Sequence, residues 1–168
     1  MKNQNKYILV LSLFVLSLVS CDQERLEPVS TVADGGGKLD TYMAYTIGTE
    51  SETDMYGRIV FYLDDLGRTQ VQVSMYNSTV GTMYPTAIMV GAIGDESTTS
   101  MALYDLEGKE ASGLFYAELS DSKFYTITDT TFYDALPSLD AHINVYSGAG
   151  DIIAAGNIGA NADPVETN

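Results

Sequence analysis

The sequence predicts an all-β protein, a single antiparallel β-sandwich with one short helix near residues 131–136. Three observations lead to this prediction. Apolar and polar residues alternate over several short segments after Leu39, as in strands with one buried face. Glycine, asparagine, aspartate and serine are concentrated between these segments, as expected for tight turns. The segments also recur at regular short intervals, which is typical of sandwiches.

The clearest element is a hairpin over residues 57–76. Apolar residues occupy positions 59, 61 and 63, and again 71, 73 and 75, with mostly polar residues between them. The link Asp64-Asp65-Leu66-Gly67-Arg68 is short, and its Gly67 can adopt a positive φ. Further strands are predicted at Tyr42–Ile47, Thr86–Ile93, Met101–Leu106, Leu114–Leu119, His142–Ser147 and Ile152–Ile158.

One segment, 131–136, departs from the strand pattern. Thr131 and Asp134 have the spacing of a capping box, and Pro137 disfavours helical geometry at the residue before it. We expect a single helical turn that packs Phe132 and Leu136 onto the sheet.

The first twenty-one residues resemble a bacterial lipoprotein signal. Lys2 and Lys6 precede an apolar run over residues 7–19, and Ser20 is followed by Cys21. The run is shorter than the roughly twenty residues that span a bilayer. The resemblance implies that residues 1–20 are removed by cleavage between Ser20 and Cys21, and that Cys21 carries the lipid. It also implies attachment to the outer membrane of the cell envelope, with periplasmic and surface display both open.

The rest of the chain divides into three parts by composition. Residues 21–38 are charged and glycine-rich without periodicity, which indicates a flexible tether. Residues 39–160 form the predicted domain, and residues 161–168 a disordered tail. No residue in 1–20 is acidic, so loss of Lys2 and Lys6 changes the formal charge from −15 to −17. Such a surface repels phosphate backbones, and we expect no nucleic-acid partner.

The second half resembles the CHRD (chordin-type) domain, a β-sandwich-like module. The resemblance lies in the order of the 131–136 segment, the stretch Leu139–Ser147, a glycine-rich turn and Asp151–Ile158, with the clearest motif over Ala141–Ile158. It implies an Ig-like, CHRD-like sandwich in which residues 57–63 and 69–76 are the opening hairpin and residues 85–94 a central strand.

The chain departs from the CHRD pattern where that family carries histidine and arginine. Tyr146 stands where the final histidine would lie, and Ile88-Met89-Val90 stands at the histidine-x-histidine of the central strand. An alanine, 154 or 155, replaces the arginine of the last strand. The chemistry of those side chains therefore does not transfer to this chain.

Catalytic and metal signatures are sparse. His142 is the only histidine, and it is predicted to face the surface with Asn144 and Tyr146. No G-x-S-x-G elbow occurs, and nothing in the sequence selects a carboxylate pair. We expect no catalytic residue, no bound metal and no cofactor. A small envelope hydrolase with an unidentified carboxylate site stays open as an alternative.

Acidic turns leave a second alternative, a calcium-stabilised adhesive domain. Carboxylates occur in turns at Asp64-Asp65, Asp95-Glu96 and Asp151. Oxygen ligands of this kind suit Ca²⁺, but none of these turns has EF-hand spacing. Solvated turn residues explain them equally well.

The twelve tyrosines are the most informative part of the composition. Exposed tyrosines bury large areas at low entropic cost, so they suit a partner-binding surface, although they also cover sheet faces for structural reasons. The sequence therefore predicts a non-catalytic module that binds a protein or a glycan. Its candidate binding residues are Tyr62, Tyr76, Tyr116, His142 and Tyr146.

Overall fold

The predicted hairpin is the best-formed part of the first sheet. In the computed structural model, which describes residues 39, 41–95, 98–109 and 123–166, β2 (Tyr56–Leu63) and β3 (Thr69–Tyr76) pair antiparallel along their whole length. Gly67 has φ +76° in the link, as predicted. β1 (Thr41–Ile47) pairs with β2, and the short β8 (Tyr125–Ile127) pairs with β3. The first sheet therefore has the order β1-β2-β3-β8.

A second sheet is built around β9 (Asp140–Tyr146). Its order is β10-β9-β5-β6, with β5 at Thr86–Val90, β6 at Thr99–Ala102 and β10 at Ile152–Gly159. All pairings are antiparallel, and two short strands, β4 (Met83–Tyr84) and β7 (Leu106–Glu107), form a separate ribbon. The predicted all-β, sandwich-like fold is confirmed.

The core consists of the inward-facing residues of both sheets. In the hairpin these are the alternate positions named above, and Ile59, Phe61, Val71 and Met75 are fully buried. Ile88, Ile143 and Ile158 meet them from the second sheet, and Leu106 and Leu136 join the same cluster. In the hairpin the alternating apolar residues thus face the core, as inferred from the sequence, although Val60 and Ser74 on the opposite face are buried as well.

The helical segment is present, but it begins without the predicted capping box. α1 (Phe132–Ala135) continues into a 3₁₀ turn at Leu136–Ser138. The Thr131 hydroxyl donates to Asp129 Oδ1 at 2.8 Å and caps no amide of the helix. Leu136 is fully buried, and the Phe132 ring lies 6.2 Å from that of Phe61, as expected for packing onto the sheet.

The two sheets meet at a corner between β1 and β10. The Gly48 N–H donates to the Ala155 carbonyl at 2.7 Å. A side chain at Gly156 would collide with the Thr46 carbonyl and lie 3.0 Å from the Ile47 Cα, so only glycine allows this close approach.

Three predicted segments differ in the structure. Thr86–Ile93 ends as a strand at Val90, because Gly91 turns the chain with φ +85°. The predicted strand Met101–Leu106 is not continuous, since its first two residues belong to β6 and its last residue begins β7. Within the predicted disordered tail, residues 161–166 contact the domain, and Val165 bridges to Ala44. The Asn161 side chain donates to Asp140 Oδ1 at 2.9 Å, which helps to fix this segment.

Several expectations lie outside the described residues. These are the signal and tether, residues 1–38 with Ser20 and Cys21, and the strand Leu114–Leu119 with Tyr116. Within the described ranges no helix is long and apolar enough to cross a bilayer.

Candidate ligand-binding cleft

The outward face of the first sheet carries most of the candidate site. On β2, the residues opposite the core positions are Tyr56, Arg58, Val60 and Tyr62, and Tyr76 follows on β3. Tyr62 and Tyr76, both predicted as binding residues, therefore share one face. They lie at its opposite ends, roughly 20 Å apart along the strands, because Tyr56, the partner of Tyr76, lies six positions before Tyr62.

At one end, Tyr76 pairs directly with Tyr56 across the hairpin. The two residues are register partners, and their ring centroids lie 4.6 Å apart with an interplanar angle of 31°. Directly opposed aromatic residues stabilise a sheet and present a continuous apolar surface. Both rings are half-buried, so part of each remains open to solvent.

The tyrosine pair forms one side of a cleft of about 280 Å³. The floor is supplied by the paired ends of β1 and β2, where Thr46 faces Arg58 and Ile47 faces Gly57. The cleft is lined by Thr46, Ile47, Gly48, Glu50, Tyr56, Gly57, Arg58, Tyr76, Val165 and Glu166. It brings a predicted binding residue, Tyr76, together with charged side chains.

The C-terminal segment contributes to the wall of the cleft. The Val165 N–H donates to the Ala44 carbonyl at 2.8 Å, which places Val165 beside the free edge of β1. Glu166 follows as an exposed residue. This pairing gives the wall a fixed position relative to the floor.

The β1–β2 loop closes the cleft at Glu50, and a turn and an asparagine hold this loop. The Ser51 hydroxyl accepts hydrogen bonds from the amides of Thr53 and Asp54 at 3.2 and 3.1 Å. Asn77 has φ +58°, and its side-chain amide donates to the carbonyls of Ser51 and Asp54, both at 2.9 Å. Asn77 directly follows Tyr76, so it ties the loop to the tyrosine pair.

Arg58 is the one basic residue among the described residues that line the cleft. Its charge also acts on Tyr62, four residues along the same face. Burial raises the pKa of the Tyr62 phenol, the Arg58 charge opposes that rise, and Tyr42 adds to it. The Arg58 guanidinium is therefore close enough to Tyr62 to interact with it electrostatically.

Tyr62 belongs to a second aromatic cluster at the other end of the face. Its ring lies 6.0 Å from that of Tyr42 and 5.9 Å from that of Phe124. Tyr42 and Phe124 are 38% and 37% exposed. Beside them, the Thr126 hydroxyl donates to the Gln70 side-chain oxygen at 2.7 Å. These three rings form an aromatic surface at this end of the face.

The surface-facing prediction for His142 is wrong. His142 and Asn144 are each only 3% exposed, because β9 is an inner strand of its sheet and the chain after β5 folds back over it. His142 Nδ1 lies 2.7 Å from the Gly91 carbonyl, and the Ile93 N–H donates to Asn157 Oδ1 at 2.9 Å. His142 is therefore buried and in contact with the backbone of the chain after β5.

Tyr146 is half-buried on the same face as His142. Its hydroxyl lies 3.2 Å from Asn144 Nδ2 and 3.6 Å from the Met89 sulfur. The structure therefore separates the predicted residues. Tyr62 and Tyr76 lie on the outer face of the first sheet, whereas His142 and Tyr146 lie on the second sheet.

Among the acidic turns, the one at Asp64 has the most contacts within the domain. Asp64 has a side chain only 2% exposed, and it makes an ion pair with Arg68 at 2.7 Å. It also accepts from Gln70 Nε2 and from the amides of Leu66 and Arg68. Burial would raise its pKa, but these hydrogen bonds outweigh that effect and lower the pKa to about 2.

The other acidic turns have fewer contacts. Asp95 Oδ2 accepts the Ala92 N–H at 3.2 Å, Asp151 is exposed, and Glu96 lies outside the described residues. Within the described ranges no three His, Cys, Asp or Glu side chains are grouped so that they could hold a metal ion.

Sequence reasoning missed most of the cleft. Tyr56, Arg58, Glu50, Val165 and Glu166 were not predicted as site residues. For Tyr56 a signal existed, because a hairpin that pairs Leu63 with Thr69 also pairs Tyr56 with Tyr76. Val165 and Glu166 reach the cleft only through long-range pairing with β1, which no local pattern encodes.

No family model, curated protein or solved structure matches the chain. The CHRD resemblance therefore stays a prediction that depends on the motif residues themselves. The described part of that motif forms β9, the turn after it and β10.

Proposed function

We propose that this protein is a lipid-anchored cell-envelope protein that acts as a non-catalytic binding module for a protein or glycan partner. The observation that carries the proposal is the cleft beside the Tyr56–Tyr76 pair. Ligand sites are concave, mostly apolar and equipped with a few polar groups, and tyrosine and arginine are enriched at binding hot spots. The cleft has each of these properties.

The anchoring part of the proposal is supported by the sequence around Cys21. A basic start, a short apolar run and a cysteine after small residues coincide there. Acylation of Cys21 would hold the domain to the outer membrane, and the glycine-rich segment 21–38 would give it reach. The binding face would then be presented to the periplasm or to the outside of the cell.

The experiment that tests the binding part uses the full mature chain against a panel of envelope-derived oligosaccharides and synthetic peptides. Binding is measured by calorimetry for the wild type and for the double variant Tyr56→Ala/Tyr76→Ala. We expect the double variant to lose affinity by about tenfold or more for any member that binds, because hot-spot aromatics commonly contribute more than 1 kcal/mol each.

Two controls accompany this measurement. The double variant Tyr56→Phe/Tyr76→Phe keeps both rings and is expected to retain most of the affinity. Ile152→Ala changes an exposed residue of the second sheet, 58% exposed, and is expected to have no effect. Binding that survives loss of both rings, or failure of every panel member to bind, would refute the proposal.

A small envelope hydrolase is the second candidate, and one observation favours it. Glu50 and Glu166 line the same cleft, and carboxylate pairs carry out glycoside hydrolysis. If the cleft were hydrolytic, oligosaccharides incubated with the protein would be cleaved, and either Glu50→Gln or Glu166→Gln would abolish cleavage. Intact oligosaccharides after prolonged incubation would leave the binding module as the better proposal.

We further propose that residues 39–160 form a divergent CHRD-type domain. The order of α1, β9, a glycine-rich turn and β10 supports this, together with the motif over Ala141–Ile158. An experimental structure that fails to superpose β9 and β10 on the last two strands of a CHRD domain would contradict it.

A further inference from the structure

The size and shape of the cleft restrict what it can hold. At about 280 Å³ it is slightly smaller than sites for drug-sized ligands, which begin near 300 Å³. A single long side chain fits such a space. The tyrosine pair supplies ring surface on one side, and Val165 adds an apolar contact from the C-terminal segment.

The charges around the cleft are mainly negative. Glu50 and Glu166 are both exposed and both line it, so their carboxylates are accessible to a ligand. Arg58 is the opposing charge, and it also interacts with Tyr62 at the far end of the face. The whole chain carries a formal charge of −15, so the surrounding field also attracts cations.

We infer that the cleft binds a lysine or arginine side chain of a protein partner. The inference rests on the proposed binding function and names the partner chemistry for the same site. The alkyl stem of such a side chain packs along the tyrosine rings, and its charged head reaches the carboxylates of Glu50 and Glu166. The faces of Tyr56 and Tyr76 add a cation–π attraction.

The test compares two cationic side chains with an uncharged apolar one. Three acetylated and amidated tripeptides, Gly-X-Gly with X as lysine, arginine or norleucine, are titrated into the full mature chain with isotopically labelled tyrosine rings. We expect the lysine and arginine peptides to shift the signals of Tyr56 and Tyr76, and norleucine to bind about tenfold more weakly or not at all. Higher salt should weaken only the charged peptides.

Charge variants identify the groups responsible. Glu50→Gln/Glu166→Gln is expected to weaken binding of the lysine peptide about three- to tenfold, because two exposed carboxylate–ammonium attractions are lost and each contributes modestly. Glu52→Gln, an exposed residue of the same loop outside the lining, is the matched control and should change nothing. Tyr42→Ala, at the far end of the face, should also leave binding intact.

The outcomes separate this inference from the function on which it rests. Equal binding of lysine and norleucine peptides would overturn the inference and leave the binding module standing. Tyrosine-dependent binding of a neutral oligosaccharide without any peptide binding would do the same and identify a glycan site. Failure of both peptides and oligosaccharides to perturb Tyr56 or Tyr76 would overturn the inference and the proposed function together.

Discussion

Asp64 shows how a single buried charge can organise a hairpin. Its two carboxylate oxygens accept hydrogen bonds from Arg68, Gln70 and Leu66, so the turn between β2 and β3 is fixed by one side chain. The sequence located this turn through Gly67. It could not identify the role of Asp64, because that role depends on the side chain being only 2% exposed.

Asp64→Asn is expected to destabilise the domain by about 2 kcal/mol at pH 7. The pKa near 2 lies below the ordinary value of 3.8, so ionised Asp64 stabilises the folded state. That stability is complete above about pH 5 and is lost as the pH falls towards 2. Urea unfolding measures the difference in free energy of unfolding between the wild type and Asp64→Asn. This difference should be less than half as large at pH 2.5 as at pH 7.

Asp65→Asn is the control for this experiment, because Asp65 is exposed in the same turn. It should change stability little at either pH. An equal difference between wild type and Asp64→Asn at both pH values would contradict the role given to the ionised carboxylate.

His142→Ala is expected to lower stability by about 2 kcal/mol without affecting ligand binding. The substitution removes a buried ring and its contact with the Gly91 carbonyl. Thermal melts measure the loss of stability. Titration with a ligand that binds the wild-type protein measures whether the variant still binds it. A variant that stays stable but no longer binds would restore His142 as a binding residue.

At the scale of elements, the alternation of apolar and polar residues predicted where the strands lie. It did not predict which residues neighbouring parts of the chain would bury. The hairpin, β1, β9 and β10 were found from their apolar positions, although β9 turns out to be buried on both faces. The burial of His142 was missed because it depends on β9 lying between two other strands and on the chain after Gly91 folding back. Strand order is a long-range property, and a period-two pattern in one strand contains no information about it.

Asn77→Ala is expected to destabilise the domain more than Asn77→Gly, by up to about 1 kcal/mol. Both variants lose the amide that holds Ser51 and Asp54, but only alanine is strained at φ +58°. Hydrogen exchange of residues 51–55 should be faster in both variants. Equal stability of the two would show that the backbone strain is unimportant.

Gly156→Ala is expected to cost several kcal/mol. A Cβ there would collide with the Thr46 carbonyl, and backbone on both sides of the β1–β10 corner would have to separate. Gly148→Ala is the matched control in the turn before β10, since no atom lies within 4 Å of its Cβ position. Chemical denaturation should show a large loss in the free energy of unfolding for Gly156→Ala and little change for Gly148→Ala.

At the scale of the whole molecule, sequence and structure supply different parts of the proposal. Cys21 and the residues before it indicate where the protein is placed, whereas the cleft indicates what the described domain can bind. The cleft could not be predicted because it combines β1, β2, β3 and the C-terminal segment, which are far apart in the chain. Among the predicted residues that the structure describes, only Tyr76 belongs to it.

Cys21→Ser is expected to abolish incorporation of labelled palmitate and to release the protein from the membrane fraction. The reason is that Cys21 is the only cysteine, so no other thiol could carry the lipid. Wild-type cells grown with labelled palmitate provide the comparison. Palmitate incorporation that persists in the serine variant would contradict the anchor.

The position of β1 in the chain has a mechanical consequence. β1 follows the segment 21–38, and its end, Thr46 to Gly48, lines the cleft. If a partner held at the cleft is pulled away from an anchored Cys21, the tension runs along β1. Hydrogen bonds to β2 lie across that direction, so they are loaded together in shear instead of opening one at a time. With the proposed lipid anchor and partner in place, the strand that follows residues 21–38 would carry the force between them along its length.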